Sequence, residues 1–306
     1  MIEIIDFTDW EVYDGFSEGS GRSEKVWLKS KDGIIGLFKF PKADPELTTE
    51  HVSEHLAYKL GEILEIEVAK TDIGSYNGRI GSMSYSVCGD NIVLKEGIEF
   101  ISGKFPEYDT ERLMDKATEL YYSVDHIFNS IPNGISNETI IEMMLFDFLI
   151  GNSDRHHSNW AFLDETKVGK AFEKKMQQSP LYDNGSSLCC FVNNDMLEDM
   201  LDERKNRFNA LVDTKSLSII RIDGNEKKRP THREMAWFLL KSYPVARDIA
   251  ERFIANLTTK KICELLSEYP EEILEKQRNE LIQRYLIRKL EILKELLKEV
   301  EADEKK

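Results

Sequence analysis

The sequence predicts an α+β fold in two lobes, a sheet-rich N-lobe over residues 1–103 and a helical C-lobe over residues 104–306. Three observations carry that prediction. Short apolar runs separated by Gly and Asn fill the first hundred residues and read as strands around one helix. From about Pro106 the apolar residues recur at helical spacing instead. The change falls near Ser102–Pro106, and no repeat or low-complexity tract interrupts it. A chain of 306 residues can bury about three-quarters of its unfolded surface, so it can support both lobes.

Lys25–Leu28 and Ile34–Phe40 read as strands joined at Lys31-Asp32-Gly33, a hairpin signal. Asp44-Pro45 announces a helix, with Thr48 and Thr49 as further cap candidates. Val52, Leu56, Leu60 and Leu64 then repeat at helical spacing, which carries that helix to about Leu64. Strand-like pieces follow at Glu67–Ile73, Arg79–Val87 and Asn91–Val93. In the C-lobe, Thr110–Phe128 reads as a helix, and Ser136 as the cap of another over Glu138–Ile150. The second is apolar on nearly every side, so it is expected to be buried all round. Trp160–Leu163 reads as a strand, Asn193–Asn209 as a charged, mobile or surface segment, and helices resume from about Thr231. In the last helix, Glu271–Val300, the stripe Leu286, Leu290, Leu293, Leu297 and Val300 spans only about two heptads. That favours packing on its own domain, and a monomer, over a coiled-coil seam.

Charge excludes some partners. There are 56 Asp+Glu against 41 Lys+Arg, a formal net charge of −15. Residues 1–103 hold 19 acidic and 10 basic side chains, so no basic lobe hides in the total. A general grip on nucleic acid or on an anionic membrane needs the opposite sign. No run of about 18 apolar residues exists to span a membrane. Asp6, Asp9 and Asp14 stand where a signal peptide would be cationic and then apolar. Cys88, Cys189, Cys190 and Cys263 form no C-x-x-C pair. A reduced, cytoplasmic protein is the expectation.

The chemistry concentrates in two loops. Gly151-Asn-Ser-Asp-Arg-His-His-Ser-Asn159 lies between the buried helix and a strand, and Ser179-Pro-Leu-Tyr-Asp-Asn-Gly-Ser186 follows that strand. They supply Asp154, Asn159 and Asp183, the hard-oxygen set that Mg²⁺ prefers. Phosphoryl transfer calls for such a set: one carboxylate accepts the attacking hydroxyl's proton, and an Asn and an Asp hold magnesium on the phosphates.

The run Asp154-Arg-His-His-Ser-Asn159, followed by Pro180-Leu-Tyr-Asp183, resembles the catalytic and magnesium-binding motifs of HipA-like serine/threonine kinases. It is most similar to the compact HipA C-terminal-domain, CtkA-type, subgroup. The Asp-Arg-His-x-x-Asn pattern also resembles phosphoinositide 3/4-kinases, whose fold these kinases are thought to share. The resemblance implies a two-lobed kinase fold and a protein serine/threonine kinase using ATP and Mg²⁺. It makes Asp154 the catalytic base and Asn159 and Asp183 the magnesium ligands, with His156 bracing the catalytic loop. A kinase also needs a phosphate-binding lysine and a glutamate to orient it. Lys39, in the strand Ile34–Phe40, is the better candidate, since Lys42 lies beyond Pro41. The run Ser53–Leu60 resembles the family's glutamate-bearing helix and points to Glu54. That residue lies two positions from both Val52 and Leu56, opposite the main apolar stripe, so Glu50 stays as an alternative.

Gly15-Phe-Ser-Glu-Gly-Ser-Gly-Arg-Ser-Glu24 could cradle phosphate on backbone amides, Ser20 and Gly21 among them. By position it resembles the family's phosphate-binding loop, which carries a regulatory autophosphorylation serine; Ser17, Ser20 and Ser23 are the candidates. Arg79–Tyr85 resembles the approach to the inter-lobe hinge, which would bring Met83, Ser84 and Tyr85 near the adenine. A protein substrate is implied, with room for an inhibitory antitoxin-like partner. DNA-bound toxin–antitoxin assembly is not implied, because the extra N-terminal subdomain of full-length HipA toxins has no counterpart here. Two other readings stay open: a non-catalytic nucleotide-binding module, and a small-molecule or lipid kinase using the same site. His156-His157 lacks the converging partners of a zinc site. Asp147 either steadies the catalytic loop or is merely capped by a neighbour. Lys227-Lys-Arg-Pro230 reads as a solvated turn, and Ser186-Ser187 lacks the elbow of a hydrolase.

Overall fold

The computed structural model describes residues 1–15, 24–42, 48–89, 92–132, 134–166 and 174–304. In chain order the elements are β1 (Ile5–Asp6), β2 (Glu11–Val12), β3 (Lys25–Lys29), β4 (Ile35–Lys39), α1 (Glu50–Leu64), β5 (Thr71–Tyr76), β6 (Arg79–Tyr85) and β7 (Ile92–Glu96). Then come α2 (Gly97–Lys104), β8 (Tyr108–Asp109), β9 (Met114–Asp115), α3 (Val124–Ser130), α4 (Glu138–Ile150), β10 (Ala161–Thr166) and β11 (Lys174–Gln178). The rest is helical: α5 (Asn194–Leu201), α6 (Arg207–Val212), α7 (His232–Ser242), α8 (Pro244–Asn256), α9 (Thr259–Ser267) and α10 (Lys276–Glu304).

These elements form two compact units that interleave along the chain. The first holds Met1–Val87, Tyr182–Lys205 and Leu257–Tyr285; the second holds Cys88–Leu181, Asn206–Asn256 and Leu286–Lys306. The sequence pattern divides the chain once, near residue 103. It could not register that β7 pairs with β10 and so belongs to the second unit.

In the first unit a six-stranded sheet runs in the order β1-β5-β6-β4-β3-β2. Phe7, Leu28, Phe38, Phe40 and Met83 form the apolar core on one face. Since successive strand residues point to opposite faces, Lys39 lies on the face opposite Phe38 and Phe40. β4 is an interior strand, and Lys39 is paired with Ser82 on one side and Lys25 on the other. Helix α1 packs against β5 and β6. It is buried around most of its circumference, with His51, Ser53, Glu54 and His55 enclosed along with Val52, Leu56 and Leu60.

In the second unit β11-β10-β7 make a three-stranded sheet. Helix α4 is buried all round, as its apolar composition predicts, and packs against α7 and α8. Gly151 ends it in a left-handed conformation (φ 69°) that glycine adopts without strain, and its N–H caps the Asp147 carbonyl. The stripe Leu286, Leu290, Leu293, Leu297 and Val300 of α10 is buried within this chain.

Two expectations are corrected. Thr110–Phe128 is not one helix. The Asp109 carboxylate takes the N–H groups of Glu111 and Arg112, Asp115 takes that of Thr118, and Leu113 and Glu119 have positive φ. These local side-chain bonds outcompete helix, which begins only at α3 with Ser123 as its cap. Asn193–Asn209 is a surface segment as expected, but an ordered one, helical as α5 and the start of α6. Within the first unit, α5 buries Leu197 and Met200, and Arg278 and Arg284 bond the carbonyls of Val192 and Leu201 on either side of it.

The start of α2 is a tight contact in the second unit. Gly97 and Ile98 donate their N–H groups to the Trp160 and His157 carbonyls, each at 2.9 Å. A Cβ at Gly97 would stand 2.2 Å from the Trp160 ring and 2.7 Å from the His157 oxygen. Gly97→Ala is therefore expected to destabilise the protein by about 1–3 kcal/mol, read from the shift in its urea unfolding midpoint.

Candidate functional site

The first unit assembles Lys39, Glu54 and Asp183. Lys39 Nζ lies 2.6 Å from Glu54 Oε1 and 2.7 Å from Asp183 Oδ1. Glu54 is buried, while 46% of the Asp183 side chain is exposed. The second oxygen of Glu54 accepts the Asn184 N–H at 3.0 Å, and the neighbouring Ser53 hydroxyl donates to the Ser187 carbonyl at 2.9 Å. One helical turn thus holds both ends of the loop Asp183–Ser187. Gly185 allows the approach, since a Cβ there would already be 3.3 Å from Glu54 Oε1. Burial disfavours the ammonium of Lys39, but the charges of Asp183 and Glu54 outweigh it and raise its pKa above the ordinary lysine value. Glu50, the alternative partner, is taken by Lys42 at 2.8 Å and by the Thr48 hydroxyl.

The second unit builds the loop that carries Asp154 and Asn159. Asp147 lies in the last turn of a buried helix and cannot stay charged there without partners. Arg155, itself buried, meets it with Nε at 3.0 Å from Oδ2 and Nη2 at 2.7 Å from Oδ1. The same guanidinium donates Nη1 to the Asn159 carbonyl at 2.8 Å, so it spans the loop. Burial lifts the Asp147 carboxyl above its usual range, opposed by Arg155. Asp147 therefore steadies the loop. Of the two readings its position in the sequence left open, the bond to Arg155 selects this one.

Inside the loop, the Asp154 carbonyl accepts the N–H of His156 at 2.8 Å and Nδ2 of Asn159 at 2.7 Å. With its nitrogen committed there, Asn159 has Oδ1 left to offer a cation. That carbonyl oxygen and the half-exposed carboxylate of Asp183 are donors of the type Mg²⁺ takes. Among the described residues, no group of three or more His, Cys, Asp or Glu could hold a metal ion. The Nδ1 of His156 accepts the Ser158 N–H at 3.2 Å, which sets its ring. His157 turns inward to the Tyr108 hydroxyl at 3.2 Å, and burial lowers its pKa to about 4.

The remaining predicted residues that the structure describes lie on β6, the strand next to that of Lys39. Met83 is in the apolar core, Ser84 Oγ lies 3.2 Å from Thr71 Oγ1, and the Tyr85 hydroxyl donates to Asp72 at 2.8 Å. The backbone of this interior strand is shared with β4 and β5. Ser17, Ser20, Gly21 and Ser23 lie outside the described residues, as do Asp44 and Pro45. Sequence reasoning assigned no role to Arg155, Asn152 or His232. Arg155 had a legible signal, a buried-helix aspartate eight positions earlier across a glycine turn; His232 had none.

No protein-family model matches the chain. Over 239 residues it is 26% identical to the serine/threonine-protein kinase CtkA of Helicobacter pylori strain J99, covering 73% of this chain and 67% of that protein. The chain is a homologue of CtkA-type serine/threonine kinases. The crystal structure of the proinflammatory kinase CtkA from H. pylori matches with a TM-score of 0.80 at 19% identity, over 97% of this chain and 98% of that one. HipA of Shewanella oneidensis MR-1, solved with HipB and operator DNA, matches with a TM-score of 0.57 at 14% identity, over 94% and 68%. The kinase-like α+β fold expected from the sequence is thus the observed one. Among the described residues, no helix is long and apolar enough to cross a membrane.

Two outcomes follow from this geometry. Arg155→Met leaves Asp147 buried and unpaired, so it should cost about 3–5 kcal/mol in chemical denaturation, and adding Asp147→Leu should restore most of that. Burial lowers His51, His55 and His157 to about 4 and His232 to about 3. These rings stay neutral when folded but take up protons in the unfolded chain below about pH 6.5, so their stabilising effect is complete above that value. It is lost as pH falls from about 6.5 toward 4. Urea midpoints should drop across that window, before ordinary carboxylates titrate.

Proposed function

We propose that this chain transfers the γ-phosphoryl group of ATP to a serine or threonine hydroxyl of a protein, in a Mg²⁺-dependent reaction. The Lys39–Glu54–Asp183 cluster carries the reading. In the first unit Lys39 would bind nucleotide phosphates, oriented by Glu54, and Asp183 would be a magnesium ligand. In the second unit Asn159 Oδ1 would be the other ligand, and Asp154 would accept the proton of the attacking hydroxyl. When bound, magnesium would neutralise charge on the phosphates. Asn159 itself holds the Asp154 carbonyl, so the loop couples the position of the base to that of a ligand. Kinship with CtkA supports a protein acceptor over a lipid, and the net charge of −15 disfavours an anionic lipid surface. The likeness to HipA supports an antitoxin-like protein partner, and the same acidity argues against direct nucleic-acid binding.

The test is incubation with Mg-ATP and casein, followed by intact-mass measurement of both proteins. Phosphate should appear on casein, and self-modification should map to Ser17, Ser20 or Ser23. Asp154→Ala should slow transfer by about 10²–10⁴-fold with circular dichroism unchanged. Asp183→Asn should raise the Mg²⁺ concentration needed for half-maximal rate. Transfer that survives Asp154→Ala or EDTA would sink the reading.

A further inference from the structure

Asn152, buried at the start of the loop, has every polar group committed. Its N–H donates to the Asp147 carbonyl at 3.0 Å and its Nδ2 to Asp147 Oδ1 at 3.2 Å. Its Oδ1 accepts the Asp154 N–H at 3.0 Å, and its carbonyl lies 2.9 Å from His232 Nε2. A carbonyl can only accept, so this last contact puts the His232 proton on Nε2. Nδ1 of the neutral ring then carries a lone pair. The Ser216 hydroxyl, 2.9 Å from Nδ1, must turn its hydrogen toward the ring. Its oxygen in turn accepts from Lys289 Nζ at 3.0 Å, an ammonium that has no acceptor capacity. Lys289 is fully buried, 4.8 Å from the centre of the Phe148 ring of α4. Backbone bonding adds to the link, since the His232 N–H donates to the Ser216 carbonyl at 2.7 Å. Every hydrogen between Lys289 and Asn152 therefore has one allowed direction, and the relay ends at the residue that holds the Asp154 amide.

We propose that His232, held in its Nε2–H form by Ser216 and Lys289, is a positioning residue that locks Asn152 and thereby aims the loop bearing Asp154. Asp147 and Arg155 fix the ends of that loop, whereas the relay fixes the amide of the proposed base itself. The role rests on the kinase reading above. It calls for a geometric effect on turnover rather than on nucleotide binding, since none of the relay residues is assigned to nucleotide.

The test combines spectroscopy with kinetics. The chain has six histidines, so long-range ¹⁵N–¹H correlation can resolve each ring, with His232 assigned from the His232→Gln spectrum. His232 should be the neutral Nε2–H tautomer at pH 7 and at pH 5.5; an Nδ1–H tautomer or an imidazolium at either pH overturns the relay. In steady-state transfer to casein, His232→Leu should lower kcat by about tenfold or more with KM for ATP within about threefold. His232→Gln, which keeps an N–H near Nε2, should recover much of that loss. Lys289→Met, which keeps the length of the side chain and removes the donor to Ser216, should lower kcat in the same sense. Stabilisation of each variant by Mg-ADP in thermal unfolding should match wild type. Wild-type kcat in the Leu and Met variants overturns the positioning role, as does a parallel loss of Mg-ADP stabilisation. Absence of transfer by wild type would instead overturn the kinase reading, and the tautomer would still report on the relay by itself.

Discussion

A carboxylate enclosed in protein must be paired, and this requirement shapes both functional clusters. Glu54 in α1 and Asp147 in α4 are each buried on a helix, and each meets one cation and then uses its remaining capacity on a loop residue. Glu54 takes Lys39 and the Asn184 amide; Asp147 takes Arg155 and the Asn152 side chain. A buried ion pair gives little net stability compared with an apolar pair of the same shape, but breaking it is costly. What such a pair supplies is direction. Two helices thereby dictate where the loops carrying Asp183 and Asp154 begin and run.

Lys39 shows how an acidic protein makes a local cationic point. The chain carries −15, yet Lys39 on an interior strand is raised above its ordinary pKa by two carboxylates that approach within hydrogen-bond distance. The charge is stabilised by its neighbours and presented at a fixed position, since β4 is hydrogen-bonded on both sides and Gly185 lets the Asp183 loop come close. Asp183 is the half-exposed member of this cluster.

Much of the fold was legible. The hairpin at Lys31-Asp32-Gly33, the helix ending at Leu64 and the all-round burial of α4 appear where periodicity and turn chemistry place them. One misreading has a local cause. Thr110–Phe128 has helix-compatible composition, but Asp109 and Asp115 capture nearby backbone donors, an effect that periodicity does not weigh. Glu54, which the family resemblance singled out although it lies off the apolar stripe, does meet Lys39. The face of α1 that carries it is polar because it meets a polar loop.

Sequence alone thus determined the α+β class, the acidic character of the chain, and the candidate residues for the proposed phosphoryl chemistry. These depend on composition and on local spacing, which one strand or helix expresses by itself. Only the tertiary structure decided which lysine meets which glutamate, that Arg155 rather than a solvent contact satisfies Asp147, and that His232 stands behind Asn152, eighty residues away. Those pairings join different elements, from eight residues apart for Asp147 and Arg155 to eighty for Asn152 and His232. They follow from the way burial forces each enclosed polar group to find a partner, and a pattern along one segment gives at most a hint of that partner, as it did for Arg155 and did not for His232.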